Sequence, residues 1–224
     1  NPPARLVKQL GNDPIYPPLF ENAFGDPTVS RTRIGRALAQ FVRSIVSFNS
    51  RYDVGLRMTG SPTARFPNYT DEENLGKDVF FGRGKCADCH LPGHDAPNPN
   101  HLIFQLHEPL NNGIEMDNPE ADPGVQSHTG KQKDRGRFKT SSLRNLEMTG
   151  PFMHDGRFET VDQVVEHYNW SVQPHPNLDS RLESFSANGL ALPEVPKVAL
   201  EKFLMTLTDE TLLRDERFSD PFVR

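Results

Sequence analysis

The stretch Cys86-Ala87-Asp88-Cys89-His90 decides the fold of this 224-residue chain. Two cysteines separated by two residues and followed at once by histidine are typical of a c-type haem attachment site. At that spacing both thiols can bond the porphyrin vinyl groups while the next imidazole reaches the iron. Cys86 and Cys89 are therefore predicted to carry the thioethers, and His90 is predicted to be the proximal iron ligand of one covalent haem c.

Two other uses of a Cys-x-x-Cys pair are disfavoured. A thioredoxin-like redox pair would need a βαβ setting. A structural zinc site would normally need a second pair of ligands, and the chain has only these two cysteines. Haem attachment also leaves no cysteine for a disulfide.

Composition narrows the class of partner. The net charge of -5 and the lack of a basic tract argue against nucleic acid or an anionic membrane surface. The sequence contains no apolar run long enough to span a membrane. With 20 prolines and 16 glycines, we expect short helices joined by long irregular loops, and a buried porphyrin would supply apolar surface.

The chain begins at Asn1-Pro2-Pro3 without an initiator methionine or a signal peptide, which we interpret as a processed product. Covalent haem attachment implies that the precursor was exported. We therefore expect a periplasmic or extracytoplasmic location.

Local patterns predict several helices. From Ser30 to Phe48 apolar residues recur every three or four positions, as on one face of an amphipathic helix. Thr70 and Thr160, each followed three residues later by Glu73 and Gln163, form capping boxes that open helices. A last helix is expected to bury the following residues: Val195, Val198, Leu200, Phe203, Leu204 and Leu207.

The intervening segments are predicted to be irregular. Residues 49–69 are interpreted as a linker or surface loop, and residues 209–224 as an extended tail. Residues 91–136 lack a clear periodicity, and we expect this segment to wrap the edge of the haem. Trp170, the single tryptophan, is expected to pack in the core, with electron hopping as the alternative.

The order of these pieces resembles the C-terminal half of bacterial di-haem cytochrome c peroxidases and their MauG-type relatives. The resemblance covers nearly the whole chain. It is carried by Ile34–Phe48, Asn74-Leu75-Gly76 with Phe80-Phe81, Cys86–His90, Phe138-Lys139-Thr140 with Leu143-Arg144-Asn145, and Thr149 with Pro151-Phe152-Met153-His154-Asp155-Gly156. It implies a mainly α, cytochrome c-like haem domain with long irregular loops.

The resemblance also implies a sixth iron ligand. In the peroxidases this ligand is a methionine fourteen residues after the histidine of the His-Asp-Gly motif, and the same count from His154 reaches Tyr168. The MauG-type branch has a tyrosine there, so Tyr168 is the predicted ligand. His167 and Met153 are its rivals. His167 points about a hundred degrees away from Tyr168 on one helix, so only one of the two can face the iron.

Further roles follow from the same resemblance. Backbone carbonyls of Thr149 and Pro151 would help to hold a calcium ion between the two haems of the family. His154 is predicted to act near the haem without binding the iron, and Arg144 to bind a haem propionate. For both residues a structural hydrogen-bonding role is the alternative.

The chain departs from the family in having one attachment motif instead of two. We therefore expect residues 1–60 to belong to a partly missing first domain and residues 61–224 to form the haem c domain. The missing haem would bind hydrogen peroxide, and this half would relay electrons to a redox partner protein. The alternatives are a stand-alone mono-haem electron carrier without peroxidase activity, and a haem sensor domain.

Overall fold

The computed structural model describes residues 2–90, 104, 108–116 and 120–220. Short helices dominate these residues, as the sequence predicts. The helices are α1 Pro2–Asn12, α2 Tyr16–Phe24, α3 Arg31–Ser44, α4 Arg51–Thr59, α5 Asp71–Phe81, α6 Ala87–His90, α7 Gln126–Thr129, α8 Val161–Glu166, α9 Glu183–Asn188, α10 Glu194–Met205 and α11 Glu210–Leu213. The two strands, β1 Pro109–Leu110 and β2 Phe138–Lys139, pair antiparallel.

The chain divides into two compact units, Asn1–Val46 and Ser47–Arg224. The division lies earlier than the predicted boundary at residue 60, because α4 belongs to the second unit. That the first segment belongs to a partly missing domain stays a prediction. None of the helices within the described ranges has the length and apolar character needed to cross a bilayer.

In the first unit, α3 begins at the predicted position, where the Ser30 side chain accepts a hydrogen bond from the Arg33 backbone. The Arg33 guanidinium is held by the Asp26 carboxylate and lies over the Phe24 ring. The apolar stripe of α3 is exposed, and no residue of this helix is buried. The exposed stripe consists of Leu38, Phe41, Val42 and Ile45, followed by Val46.

The core of the second unit lies where α5 crosses α10. The two backbones approach closely at Gly76, where an added Cβ would lie 1.8 Å from the carbonyl oxygen of Ala199. Both predicted capping boxes, at Thr70 and at Thr160, are present. The buried core residues are Tyr52, Phe66, Tyr69, Val79, Phe80, Phe104, Val161, Val165, Leu192, Leu200, Phe203, Leu204 and Leu207.

Four expectations from the sequence were wrong. Residues 49–69 contain α4, which opens with a capping box between Ser50 and Asp53. The segment after residue 208 contains α11, which Asp209 caps. Val195 and Trp170 are not core residues, since they are 69% and 59% exposed.

Candidate functional site

The attachment motif begins directly after α5. The chain turns at Gly82 and Gly84, and the Gly84 amide donates to the carbonyl of Val79. The motif then coils into α6, where the His90 amide donates to the Cys86 carbonyl at 2.9 Å. This single turn brings Cys86, Cys89 and His90 to one side of the chain.

Burial sets the protonation of the two thiols. It raises the pKa of Cys86 to about 12 and that of Cys89 to about 11. Both thiols are therefore protonated at neutral pH. The Cys86 thiol lies 3.4 Å from the Gly84 carbonyl oxygen, which holds it beside the glycine turn.

His90 has the state that an iron ligand requires. Its Nδ1 lies 3.2 Å from the carbonyl oxygen of Phe104, and since a carbonyl only accepts, Nδ1 carries the proton. Nε2 then holds the lone pair that a metal needs. Burial lowers the pKa of His90 to about 4, against the opposing effect of the carbonyls of Phe104 and Ser141, so the imidazole is neutral.

A π-helical turn, His167–Ser171, follows α8 and carries Tyr168. Pairing with the chain after α9 fixes this turn. The Leu190 amide donates to the Tyr168 carbonyl, and the Leu192 amide donates to the Asn169 side chain at 2.7 Å. Gly189 is required there, because an added Cβ would lie 1.6 Å from the Asn169 carbonyl oxygen. The turn therefore has little freedom to rotate Tyr168.

The Tyr168 hydroxyl is influenced by the attachment motif through its pKa. Burial raises its pKa to about 12, and the two cysteine sulfurs lie close enough that negative charge on them would raise it further. Its hydroxyl oxygen accepts a hydrogen bond from the Asn112 side-chain nitrogen at 3.3 Å. The same nitrogen lies 3.4 Å from Met153 Sδ, so Tyr168 and its rival Met153 lie beside one amide.

His167 is placed differently. Its Nε2 lies 3.1 Å from the backbone carbonyl oxygen of Asn112, and the residue is 3% exposed. Burial lowers its pKa, so the ring is neutral and donates through Nε2. Its Nε2 is thus occupied by a carbonyl, and Nδ1 is the nitrogen that keeps a lone pair.

Two thiols, a neutral imidazole and a phenol, all of them half-buried, therefore lie in the second unit. This donor set fits haem c, because the thiols can form thioethers while His90 and Tyr168 supply a nitrogen and an oxygen for iron. No group of three or more His, Cys, Asp or Glu side chains placed to hold a metal ion is found in the described part of the chain. Residues 91–103, 105–107 and 117–119 of the loop expected to wrap the haem lie outside the described residues.

Arg144 is buried beside Phe104, not on a surface edge. Its two terminal nitrogens donate to the Asp53 carboxylate at 2.7 and 2.8 Å, and both side chains are 6% exposed. The guanidinium carbon lies 5.7 Å from the centroid of the Phe104 ring. Arg144 thus forms a buried structural ion pair, and its contact with a haem propionate stays a prediction.

The other predicted residues lie on the segment before α8. The His154 ring stacks on Phe138 with centroids 3.7 Å apart, and its Nε2 lies 3.7 Å from a Glu115 oxygen. Thr149 and Pro151 are exposed, and the peptide bond before Pro151 is cis. Their roles toward haem and calcium stay predictions.

Three residues of the site were missed by the sequence analysis: Asn112, Asp53 and Phe104. Asp53 had a readable signal, because Ser50 and Asp53 have capping-box spacing. Asn112 lies in an aperiodic loop, and Phe104 acts through its backbone carbonyl, so neither has a side-chain pattern that predicts its role.

Comparison with known proteins places this geometry in a family. Residues 1–60 match the family model described as di-haem cytochrome c peroxidase. The chain is 30% identical over 213 residues to the methylamine utilization protein MauG of Methylorubrum extorquens, and 33% identical over 159 residues to the cytochrome c551 peroxidase of Nitrosomonas europaea. These alignments cover 92% and 71% of this chain.

The similarity extends to a solved structure. A MauG-like protein associated with microbial copper homeostasis superposes with a TM-score of 0.72 at 30% identity, over 98% of this chain and 65% of that one. The chain spans about half the length of the curated relatives, 52% of the MauG protein and 43% of the peroxidase.

Proposed function

The chain belongs to the di-haem cytochrome c peroxidase and MauG family, and on that premise we propose that it is the electron-transfer haem c half of a peroxide-driven oxidoreductase. One observation carries the proposal. The thiols of Cys86 and Cys89, the imidazole of His90 and the phenol of Tyr168 are half-buried in the second unit, and negative charge on either sulfur would raise the pKa of Tyr168. A haem held by both His90 and Tyr168 would have no open iron position for peroxide, which suits electron transfer.

When bound, haem c supplies a one-electron couple at this site. The chain's own residues set its surroundings. His90 presents Nε2 because the Phe104 carbonyl holds the Nδ1 proton, and Tyr168 presents an oxygen that Asn112 orients. An anionic oxygen ligand stabilises ferric over ferrous iron, so the reduction potential is low compared with a histidine and methionine site.

Peroxide chemistry is assigned to a second haem outside this chain. The curated relatives are about twice as long as the chain, which leaves room for such a domain. The exposed apolar stripe of α3 is a suitable surface for it, since Leu38, Phe41 and Val42 are each more than half exposed. The partners are then the domain with the second haem, hydrogen peroxide bound there, and a redox protein that exchanges electrons with this half.

Two finer assignments accompany the proposal. A calcium ion would be held by carbonyls of Thr149 and Pro151, as the family resemblance implies. The location is periplasmic or extracytoplasmic, because haem c is attached after export.

Intact mass under denaturing conditions, with a haem-stained gel, tests the proposal on the full parent protein. Covalent haem survives denaturation, so we expect two haems on the parent. The double variant Cys86→Ala/Cys89→Ala should keep one haem and its peroxide binding but lose electron transfer to the partner. A parent with a single haem would contradict the proposal and favour the mono-haem carrier.

A carbon monoxide titration separates relay from sensor. Two occupied axial positions predict that carbon monoxide binds the reduced haem of this half poorly. Ready binding by the Cys86 and Cys89 haem would instead indicate an iron with an open position, as a sensor requires.

A further inference from the structure

The Asn112 side-chain amide lies between Tyr168 and Met153, two of the residues considered as the sixth iron ligand. Asn112 Nδ2 lies 3.3 Å from the Tyr168 hydroxyl oxygen and 3.4 Å from Met153 Sδ. Its backbone carbonyl accepts from His167 Nε2 at 3.1 Å. The side chain and backbone of Asn112 thus contact all three residues considered for the sixth position.

The loop that carries Asn112 is fixed on both sides. The Gly113 amide donates to the Asn111 side chain at 2.9 Å, and the Gln173 amide donates to the Gly113 carbonyl at 2.7 Å. The Asp179 amide donates to the Asn111 carbonyl at 3.1 Å. Because these bonds fix the backbone, the Asn112 amide is held in place before any ligand binds.

A primary amide has two N–H donors, which is the number of acceptors present here. Donation to a phenolate oxygen is charge-assisted and stabilises that anion in a buried site. Thioether sulfur is a weak acceptor, and an N–H donor directed at it competes with iron for one of its two lone pairs. The same amide therefore favours the oxygen ligand and disfavours the sulfur ligand.

We propose that Asn112 selects the Tyr168 oxygen over the Met153 sulfur as the distal ligand of the haem iron. It is a positioning residue, because it acts through Tyr168 and Met153. This inference rests on the proposed function, which places a haem at this site. Without the amide, the thioether becomes the competitive ligand, and soft sulfur favours ferrous iron.

The test uses the full parent protein loaded with haem and compares Asn112→Leu, which removes both donors at similar volume, with the wild type. Resonance Raman detects tyrosinate bound to iron, and near-infrared magnetic circular dichroism detects a thioether bound to iron. In the variant we expect loss of the tyrosinate signals and gain of the thioether band. The ferrous to ferric ratio at fixed potential should rise at least ten-fold, which is about 59 mV in midpoint potential.

Three further variants keep the test decisive. Asn112→Asp retains the shape of the side chain and replaces the leucine variant if that variant does not fold. Because its carboxylate repels a phenolate, the tyrosinate signals should be lost here too. Asn112→Leu/Met153→Leu should lose the tyrosinate signals without gaining the thioether band. Met153→Leu alone should keep the wild-type spectrum.

The outcomes separate this inference from the proposed function. Tyrosinate signals in the wild type that persist in both Asn112 variants would overturn the selection by Asn112 and leave the haem site intact. A thioether band in the wild type would also overturn it. A parent without haem on Cys86 and Cys89 would instead refute the proposed function on which it rests.

Discussion

Replacing Asp53 with asparagine should destabilise the protein strongly. Asp53 accepts two hydrogen bonds from Arg144 and two from Ser50, and the Asp53 and Arg144 side chains are 6% exposed. Asparagine removes the negative charge and leaves the buried guanidinium without its carboxylate. Breaking one side of a buried ion pair costs about 3–5 kcal/mol in the free energy of unfolding.

The pH dependence of this pair has a defined sign. Burial alone would raise the pKa of Asp53, but hydrogen bonds from Arg144 and Ser50 outweigh it, so the pKa lies below its usual value. A carboxyl with a lowered pKa in the folded state contributes stability above its unfolded pKa, about 3.9, and loses it as the pH falls. The difference in the free energy of unfolding between wild type and Asp53→Asn should therefore become smaller as the pH falls.

Chemical and thermal denaturation of the haem-loaded protein measure the effect. A loss of about 3–5 kcal/mol corresponds to a fall of about 6–20 °C in the unfolding midpoint for a chain of this size. Asp215→Asn is the matched control, because Asp215 and Arg217 form a pair in which the arginine is 75% exposed. That control should change stability by less than about 1 kcal/mol.

The same variant separates the two roles considered for Arg144. If Arg144 chiefly bound a haem propionate, Asp53→Asn would lower the free energy of unfolding by less than about 1 kcal/mol. Arg144→Gln would then change the haem potential, whereas Asp53→Asn would not. That result would refute the ion-pair reasoning. A double-mutant cycle of the two substitutions gives the coupling directly, and we expect the double variant to be destabilised much less than the sum of the two single variants.

Three further predictions concern the second unit. Gly76→Ala should destabilise by about 1–3 kcal/mol or more in denaturant titration, because the new Cβ would overlap the Ala199 carbonyl, and unchanged stability would contradict the close helix crossing. Burial and the nearby Asp162 charge raise the pKa of Glu201 to about 7, so the free energy of unfolding should fall as the pH rises from about 4.5 to 7. Glu201→Gln should flatten this pH dependence, and an unchanged pH dependence would refute the assignment. Trp170→Phe should leave the unfolding midpoint unchanged, since the indole is 59% exposed, and a large loss would restore the packing interpretation.

Local signals predicted those helices whose ends are encoded in a few neighbouring residues. The capping boxes at Thr70 and Thr160 open α5 and α8 where the sequence places them. The same rule applied to Ser50 and Asp53 would have found α4, but the glycines and prolines of residues 49–69 favoured a loop. Composition over a long window thus concealed a capping signal four residues long.

Long-range pairs were beyond the sequence. Asp53 and Arg144 are 91 residues apart in the chain, and no local pattern relates them. The helical stripe of α3 predicted a helix correctly but not its exposure, because periodicity identifies an apolar face without identifying what covers it. The attachment motif was readable because its chemistry requires fixed spacing between neighbouring residues.

The proximal and distal sides of the site are fixed by different means. On the proximal side, the acceptor for His90 is the carbonyl of Phe104, whose backbone is left-handed at φ 52° and whose side chain is fully buried. The Phe104 ring contacts Tyr52 edge-on at 4.9 Å and Arg144 at 5.7 Å, so this carbonyl is oriented by the protein core. On the proposed distal side, the Tyr168 backbone is paired with the chain after α9, and its hydroxyl accepts a hydrogen bond from the Asn112 amide. A packed core resists displacement more than a single hydrogen bond does. Substitutions on the proposed distal side should therefore change the iron environment while the fold persists.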